Sequence, residues 1–203
     1  MIQLSFQSRL DNHYWLSRSE MMYYKYIEIL VKVFAYNAKS IIDVGSANTK
    51  YLESFDWIPH KYTLGIENRY DSPNVTSIEE DFLKYTPKNK FDFATCLQVL
   101  EQTPNVEEFA KKLFDISDKV LISVSYVCAE EIVFKHIDDL IEKLKKWTGK
   151  EPRYSIIITE NVRNSNNGTN KTLLCYYETG ENKINLDDVP PNYFPKLNKE
   201  IGS

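Results

Sequence analysis

Short apolar runs alternate with amphipathic helical spacings along most of this chain, and that alternation restricts it to an α/β architecture with a largely parallel sheet. The runs fall at residues 40–44 (SIIDV), 62–66 (YTLGI), 91–97 (FDFATCL), 119–124 (KVLISV), 155–159 (SIIIT) and 172–177 (TLLCYY), each bounded by polar turns. Residues 19–36 carry Met22, Tyr26, Ile29, Leu30, Val33 and Phe34 three and four apart, with Ser19 as the expected N-cap. Residues 105–114 place Val106, Phe109, Ala110, Leu113 and Phe114 on one face. Residues 137–147 do the same with Ile137, Leu140, Ile141, Leu144 and Trp147. Between the last two runs lies NVRNSNNGTNK, rich in turn formers and without a helical period. That segment predicts an antiparallel hairpin closing the sheet.

At 203 residues the chain can bury one substantial core and is too short for two ordinary domains. A single domain is expected over residues 1–180, with 1–38 as an N-terminal helical lid. Residues 181–203 are polar, proline-containing and aperiodic, and are expected to be loosely ordered or draped over the surface. The formal charge of -4 gives no general attraction to phosphate backbones or anionic lipid, so nucleic acid is not an expected partner. No apolar run approaches the ~18 residues of a membrane span, and the first residues lack a signal-peptide layout. A cytoplasmic protein without membrane insertion is expected. Cys96, Cys128 and Cys175 are odd in number and lack metal-ligand spacing. They read as reduced thiols, two of them in strands, and no metal site is expected.

In an open parallel sheet, ligands bind beyond the carboxyl ends of the strands, where the strand order reverses. The first strand and its loop, IIDVGSANTKYL at residues 41–52, are the place to look. Gly45 allows close backbone approach and torsions closed to other residues. Asp43 can accept hydrogen bonds from an ammonium group or orient the loop's own amides. Glu67 closes the next run in YTLGIEN, where a carboxylate can receive both ribose hydroxyls.

Taken in order, these segments resemble the class I, Rossmann-like methyltransferases that use S-adenosylmethionine. The usual first motif of that family is a hydrophobic strand followed by D-x-G-x-G-x-G. Asp43 and Gly45 fit it, while Ala47 and Thr49 stand where the later glycines would be. The resemblance implies cofactor contacts from Asp43, Gly45, Ser46, Ala47 and Asn48, and from Glu67 and Asn68 at the ribose. In EEDFLKY it implies that Asp81 bonds the adenine amino group and that Phe82 packs on the ring. The family pattern D-x-x-x-x-x-x-V-L-E-H is matched from Asp92 through Gln98, Val99, Leu100 and Glu101 to Gln102, so Leu97 and Gln98 are further expected contacts. A nicotinamide-dependent dehydrogenase is the competitor within this fold class. Its turn cradles a pyrophosphate through G-x-G-x-x-G, and Ala47 and Lys50 replace the second and third glycines. A methylsulfonium cofactor has no phosphate, so the missing glycines weigh against the dehydrogenase.

Residues 39–178 are similar to bacterial methyltransferases of surface-polysaccharide and small-molecule pathways. The segment from Trp147 to Ser155 matches W-T-G-K-x-P-x-Y-S, and His136-Ile137-Asp138-Asp139 keeps the first histidine of an H-x-H-D-P loop. The similarity implies a small-molecule or glycan-precursor acceptor, methylated at oxygen, and admits a homodimer. A hydroxyl acceptor needs a base, and among His13, His60 and His136 the last is the candidate; a surface histidine at a helix start is its alternative. His13, Tyr14, Tyr23 and Tyr126 are candidate acceptor contacts, although tyrosines such as Tyr23, Tyr24 and Tyr26 serve equally as packing anchors. Two other readings stay open. One is a non-catalytic cofactor-binding or assembly protein, suggested by the lost glycines and by Gln102. The other, nucleic-acid methylation, lacks the N/D-P-P-Y/F motif after the fourth strand, where Cys96-Leu97-Gln98-Val99 stands.

Overall fold

The computed structural model describes residues 15, 16, 18–46, 49–66, 70–125, 134, 138–161, 169–181 and 183–189. Helix α1 (Met22–Phe34) precedes strands β1 (Ser40–Val44), β2 (His60–Gly65), β3 (Thr76–Glu79) and β4 (Phe93–Leu97). Then follow α2 (Val106–Ile116), β5 (Lys119–Ser125), α3 (Asp139–Thr148), β6 (Tyr154–Asn161) and β7 (Thr169–Glu178). The seven strands form one sheet in the order β3-β2-β1-β4-β5-β7-β6. Strands β1 to β5 run parallel to one another. Strand β7 runs antiparallel to both β5 and β6, which is the hairpin the turn-rich segment predicts.

The central strands are buried on both faces, so they read as nearly continuous apolar runs. Ile41, Phe93, Leu121 and Tyr176 point into a core shared with α1 and a 3-10 turn at Lys50–Ser54. Ile42, Ala94, Val120 and Ile122 point the other way, against α2 and α3. Strand β3 was not among the expected runs. Its four residues, TSIE, hold a single apolar side chain and lie at the sheet edge, which leaves no periodicity to detect. Cys96 and Cys175 are free, buried strand thiols, as expected, and burial pushes Cys175 up to about 12.

Three expectations need correction. Helix α1 begins at Met22, and Ser19 is not its cap. The carboxylate of Glu160 on β6 receives the free amide N–H groups of Met22 and Tyr23 at 2.8 and 3.2 Å. The face that α1 buries is Tyr23, Ile27, Leu30, Val31 and Phe34, while Met22 and Ile29 remain 55% and 50% exposed. The helix is apolar on nearly every side, so spacing alone could not select the buried one. Finally, part of the presumed surface tail is packed. Ile184 and Val189 are buried in the α1-side core. The Glu178 carboxylate accepts the Ile184 N–H at 2.8 Å and pairs with Arg153, whose guanidinium also donates to the Ile184 carbonyl at 2.7 Å. Among the described residues no helix is long and apolar enough to cross a membrane.

Candidate functional site

The strand order reverses between β1 and β4, since the chain fills positions on one side through β3 and then returns to the other. Registers Val44↔Leu64, Gly65↔Glu79, Asp43↔Thr95 and Leu97↔Ser123 align the carboxyl ends of β1 to β5 along one edge of the sheet. This edge gathers Asp43, Gly45, Ser46, Asp81, Leu97 and Gln98 from three separate sequence segments. Ala47, Asn48, Glu67 and Asn68 lie outside the described residues, as do His13, Tyr14, Tyr126 and His136.

Gly45 has φ +81°, and its N–H donates to the Leu64 carbonyl at 2.7 Å. A Cβ at this position would come within 2.5 and 2.8 Å of the two methyls of Val99. The glycine is therefore required twice, by torsion and by the packing of the β4 loop against it. Gln98, at the end of β4, also has a left-handed φ of 57°. Such torsions are uncommon outside glycine and persist where surrounding structure enforces them. Here Ser123 of β5 does so, receiving the Gln98 N–H on its carbonyl at 3.0 Å and on its hydroxyl at 3.2 Å.

Two buried polar groups lie beneath this edge. Asp43 is 2% exposed, and its Oδ1 accepts the Thr95 hydroxyl at 2.9 Å. The Tyr51 hydroxyl lies 2.7 Å from Thr95 Oγ1. Burial pushes the Asp43 carboxyl up to about 6, against the pull of hydrogen bonds from Tyr51, Thr95 and Ser46. Burial, and next the Asp43 charge, raise the Tyr51 phenol, which stays protonated. Asp43 thus orients protein hydroxyls, and the loop beyond it is anchored to β4. Alongside it, the Tyr23 hydroxyl of α1 sits 2.6 Å from the Ser123 hydroxyl. That bond places the Tyr23 side chain, 2% exposed, in the core.

Asp81 accepts the Leu83 N–H at 3.0 Å and keeps a partly exposed carboxylate just past β3. Phe82 differs from its expected role. Its ring is 4% exposed and lies 4.4 Å from that of Phe109 on α2, so it packs in the core. Asp92 stands at the opposite edge of the sheet, receiving the N–H groups of Lys39 and Ser40 at 2.7 and 2.9 Å. Its place in the matched pattern is structural, tying β4 to the start of β1. His60, at the amino end of β2, lies at that same far edge.

Tyr51, Thr95 and Ser123 were not among the expected site residues. Thr95 and Ser123 are polar residues inside otherwise apolar strands, and that is the signal that could have found them. Tyr51 also lines a cleft of about 160 Å³ with Trp15, Ser19, Tyr24 and Phe55. Trp15 and Tyr24 meet edge to face at 4.9 Å, and Tyr24 lies 6.2 Å from Tyr51. Among the described residues no cluster of ligand-type side chains could hold a metal ion.

No protein-family model and no curated protein matches the chain. Its fold does match solved structures. The N-methyltransferase NodS from Bradyrhizobium japonicum WM9, in complex with S-adenosyl-L-homocysteine, aligns with a TM-score of 0.60 at 9% identity, over 86% of this chain and 97% of that one. The 1,6-didemethyltoxoflavin-N1-methyltransferase of Burkholderia thailandensis, with bound 1,6-didemethyltoxoflavin and S-adenosylhomocysteine, aligns with a TM-score of 0.61 at 12% identity, over 88% of each chain. A (4+2) cyclase, SpnF, aligns at 0.58 and 10%, over 76% of this chain and 80% of that one. Identities this low carry the architecture and leave the chemistry to the site. The chain has the Rossmann-like methyltransferase fold, with its mostly parallel sheet and antiparallel C-terminal hairpin.

Proposed function

We propose that the chain binds S-adenosylmethionine at the carboxyl edge of β1 to β4 and methylates a small molecule or glycan precursor, at oxygen. The observation that carries this reading is the pair of left-handed residues, Gly45 and Gln98, ending the two strands that flank the reversal of strand order. Strained backbone held in place at a crevice is where ligands bind in such sheets. The charges there fit as well. Asp43, Glu80, Asp81 and Glu101 lie at or next to this edge, an environment suited to a cationic sulfonium nucleoside and unfavourable to a pyrophosphate.

Asp43, Gly45, Ser46, Asp81, Leu97 and Gln98 would hold the cofactor together with Ala47, Asn48, Glu67 and Asn68, with Phe82 supporting the adenine side from the core. When bound, the cofactor supplies an electrophilic methyl group for in-line displacement, so the protein's task is alignment and exclusion of water. The aromatic cleft of Trp15, Tyr24 and Tyr51 adjoins the Asp43 network and serves the acceptor side. His136 is the proposed base for a hydroxyl acceptor, with residues 1–38 as the lid of a single cytoplasmic domain.

Isothermal titration tests the cofactor assignment. S-adenosylhomocysteine should bind, and Asp43→Ala should weaken it at least about tenfold, a loss on the scale of one charge-assisted hydrogen bond. Binding of NADH, with neither S-adenosyl ligand bound, would overturn the reading. The likeness to a cyclase favours one alternative, a protein that keeps the pocket without transferring methyl groups. Sustained turnover with an acceptor would remove it.

A further inference from the structure

Among the described residues, nothing pairs with the outer side of the strand that ends the sheet opposite β3. Strand β6 is eight residues long, and among the described residues it pairs with β7 alone. Every second residue therefore directs its amide and carbonyl away from the sheet. Proteins blunt such edges with short strands, charges, prolines or bulges. The opposite edge does so: β3 has four residues and runs into Glu79, Glu80 and Asp81. Strand β6 instead carries Ser155, Ile156, Ile157, Ile158 and Thr159 in succession, five uncharged residues of which four are β-branched. Ile157 is 49% exposed and Tyr154 37%. The helix docked on this strand through Glu160 adds Met22 and Ile29, each at least half exposed.

We infer that β6 is the dimer interface of this protein, pairing antiparallel with β6 of a second copy about a two-fold axis at Ile157. The sequence is self-complementary in that register. Ile157 meets its own mate, Ile156 meets Ile158, Ser155 meets Thr159, Tyr154 meets Glu160 and Arg153 meets Asn161. No like charges stand opposite each other, and β-branched residues fill the centre, the pairing that stabilises adjacent strands. A two-fold contact of this kind uses the same patch on both copies and closes on itself. The two sheets become one continuous sheet of fourteen strands, with both carboxyl edges left outside the interface. This inference does not depend on the proposed reaction.

Sedimentation equilibrium of the full chain, with Ile157→Lys and Ile157→Cys variants, tests it. The wild-type chain should sediment with the mass of two copies. Ile157→Lys, which places two ammonium groups opposite each other, should return it to one copy with its circular dichroism unchanged. Under mild oxidation Ile157→Cys should cross-link to itself, because directly opposed strand residues approach closely enough for a disulfide, whereas Thr159→Cys should not. The cross-link still decides the matter if the lysine variant does not fold. A wild-type monomer, or a dimer that survives Ile157→Lys without cross-linking through residue 157, would overturn the inference. The second result would place another segment or partner on this edge.

Discussion

Val99 fills the space that a side chain at residue 45 would need: its methyls lie 2.5 and 2.8 Å from where a Gly45 Cβ would be. Gly45→Ala should therefore destabilise the fold by about 2–4 kcal/mol, combining a left-handed torsion with overpacking. Urea denaturation of Gly45→Ala with and without Val99→Ala separates the two. The second substitution should recover the packing part and leave about 1 kcal/mol of torsional cost. Full recovery would show that the torsion is unstrained.

Asp43 should make the protein less stable as the solution becomes neutral. Its folded carboxyl holds its proton to about pH 6, whereas the unfolded chain releases it near 3.8. The folded state binds more protons between those values, so stability falls as pH rises through the window, by on the order of 3 kcal/mol in total. Asp43→Asn cannot ionise, and its stability should stay flat from about pH 4 to pH 6 apart from other groups. At neutral pH it should be more stable than the wild type and bind S-adenosylhomocysteine less well. Chemical denaturation across pH checks the first half, and calorimetry the second. A residue that lowers stability at working pH is kept for something other than folding.

Much of this arrangement was legible in the residues, and what escaped did so for definite reasons. Strands β1, β4, β5 and β7 and the hairpin follow from apolar runs and a turn-rich spacer, because burial on both faces leaves a one-dimensional trace. Asp43 and Gly45 were singled out because they fit the family's first motif within an ordered series of matched segments. Tyr51 left no such trace, and the polar Thr95 and Ser123 inside apolar strands did not name their partners, because Tyr51 and Tyr23 reach them from a 3-10 turn and from α1, an arrangement no single segment reveals. Phe82 was read as packing on the adenine ring because Asp81-Phe82 stands where the family resemblance implies those contacts. Its burial against Phe109 is a long-range fact. Ile184 and Val189 are isolated apolar residues among polar ones, and their burial in the α1-side core, with Arg153 and Glu178 bonding the Ile184 backbone, is a long-range arrangement.

Removing the Arg153 side chain should release that docked segment. Glu178 has a side chain 1% exposed, so Arg153→Ala strands a carboxylate in the interior. The expected loss is about 3 kcal/mol, the lower end for a broken buried pair because Arg153 itself reaches solvent. Limited proteolysis should then cut within residues 183–189 at a faster rate than in the wild type. Unchanged cutting would mean that Ile184 and Val189 dock through apolar contact alone.

Glu160→Ala should free the start of α1 without unfolding the sheet. Two N–H groups lose their acceptor, and the helix loses a negative charge at its positive end, together costing about 1–2 kcal/mol. Hydrogen exchange should quicken at Met22 and Tyr23 and remain slow at Ile122. Equal acceleration at both would show that α1 and the sheet open as one unit.

The Glu160 cap also sets a timetable for biosynthesis. Helix α1 leaves the ribosome early, yet the carboxylate that completes its first turn follows 138 positions later. Until then the first turn of α1 lacks its acceptor, although Ile41, Phe93 and the 3-10 turn at Lys50–Ser54, against which its buried face packs, come earlier in the chain. The cap therefore closes only once β6 is in place, so the order of the chain separates docking of the helix face from completion of its first turn.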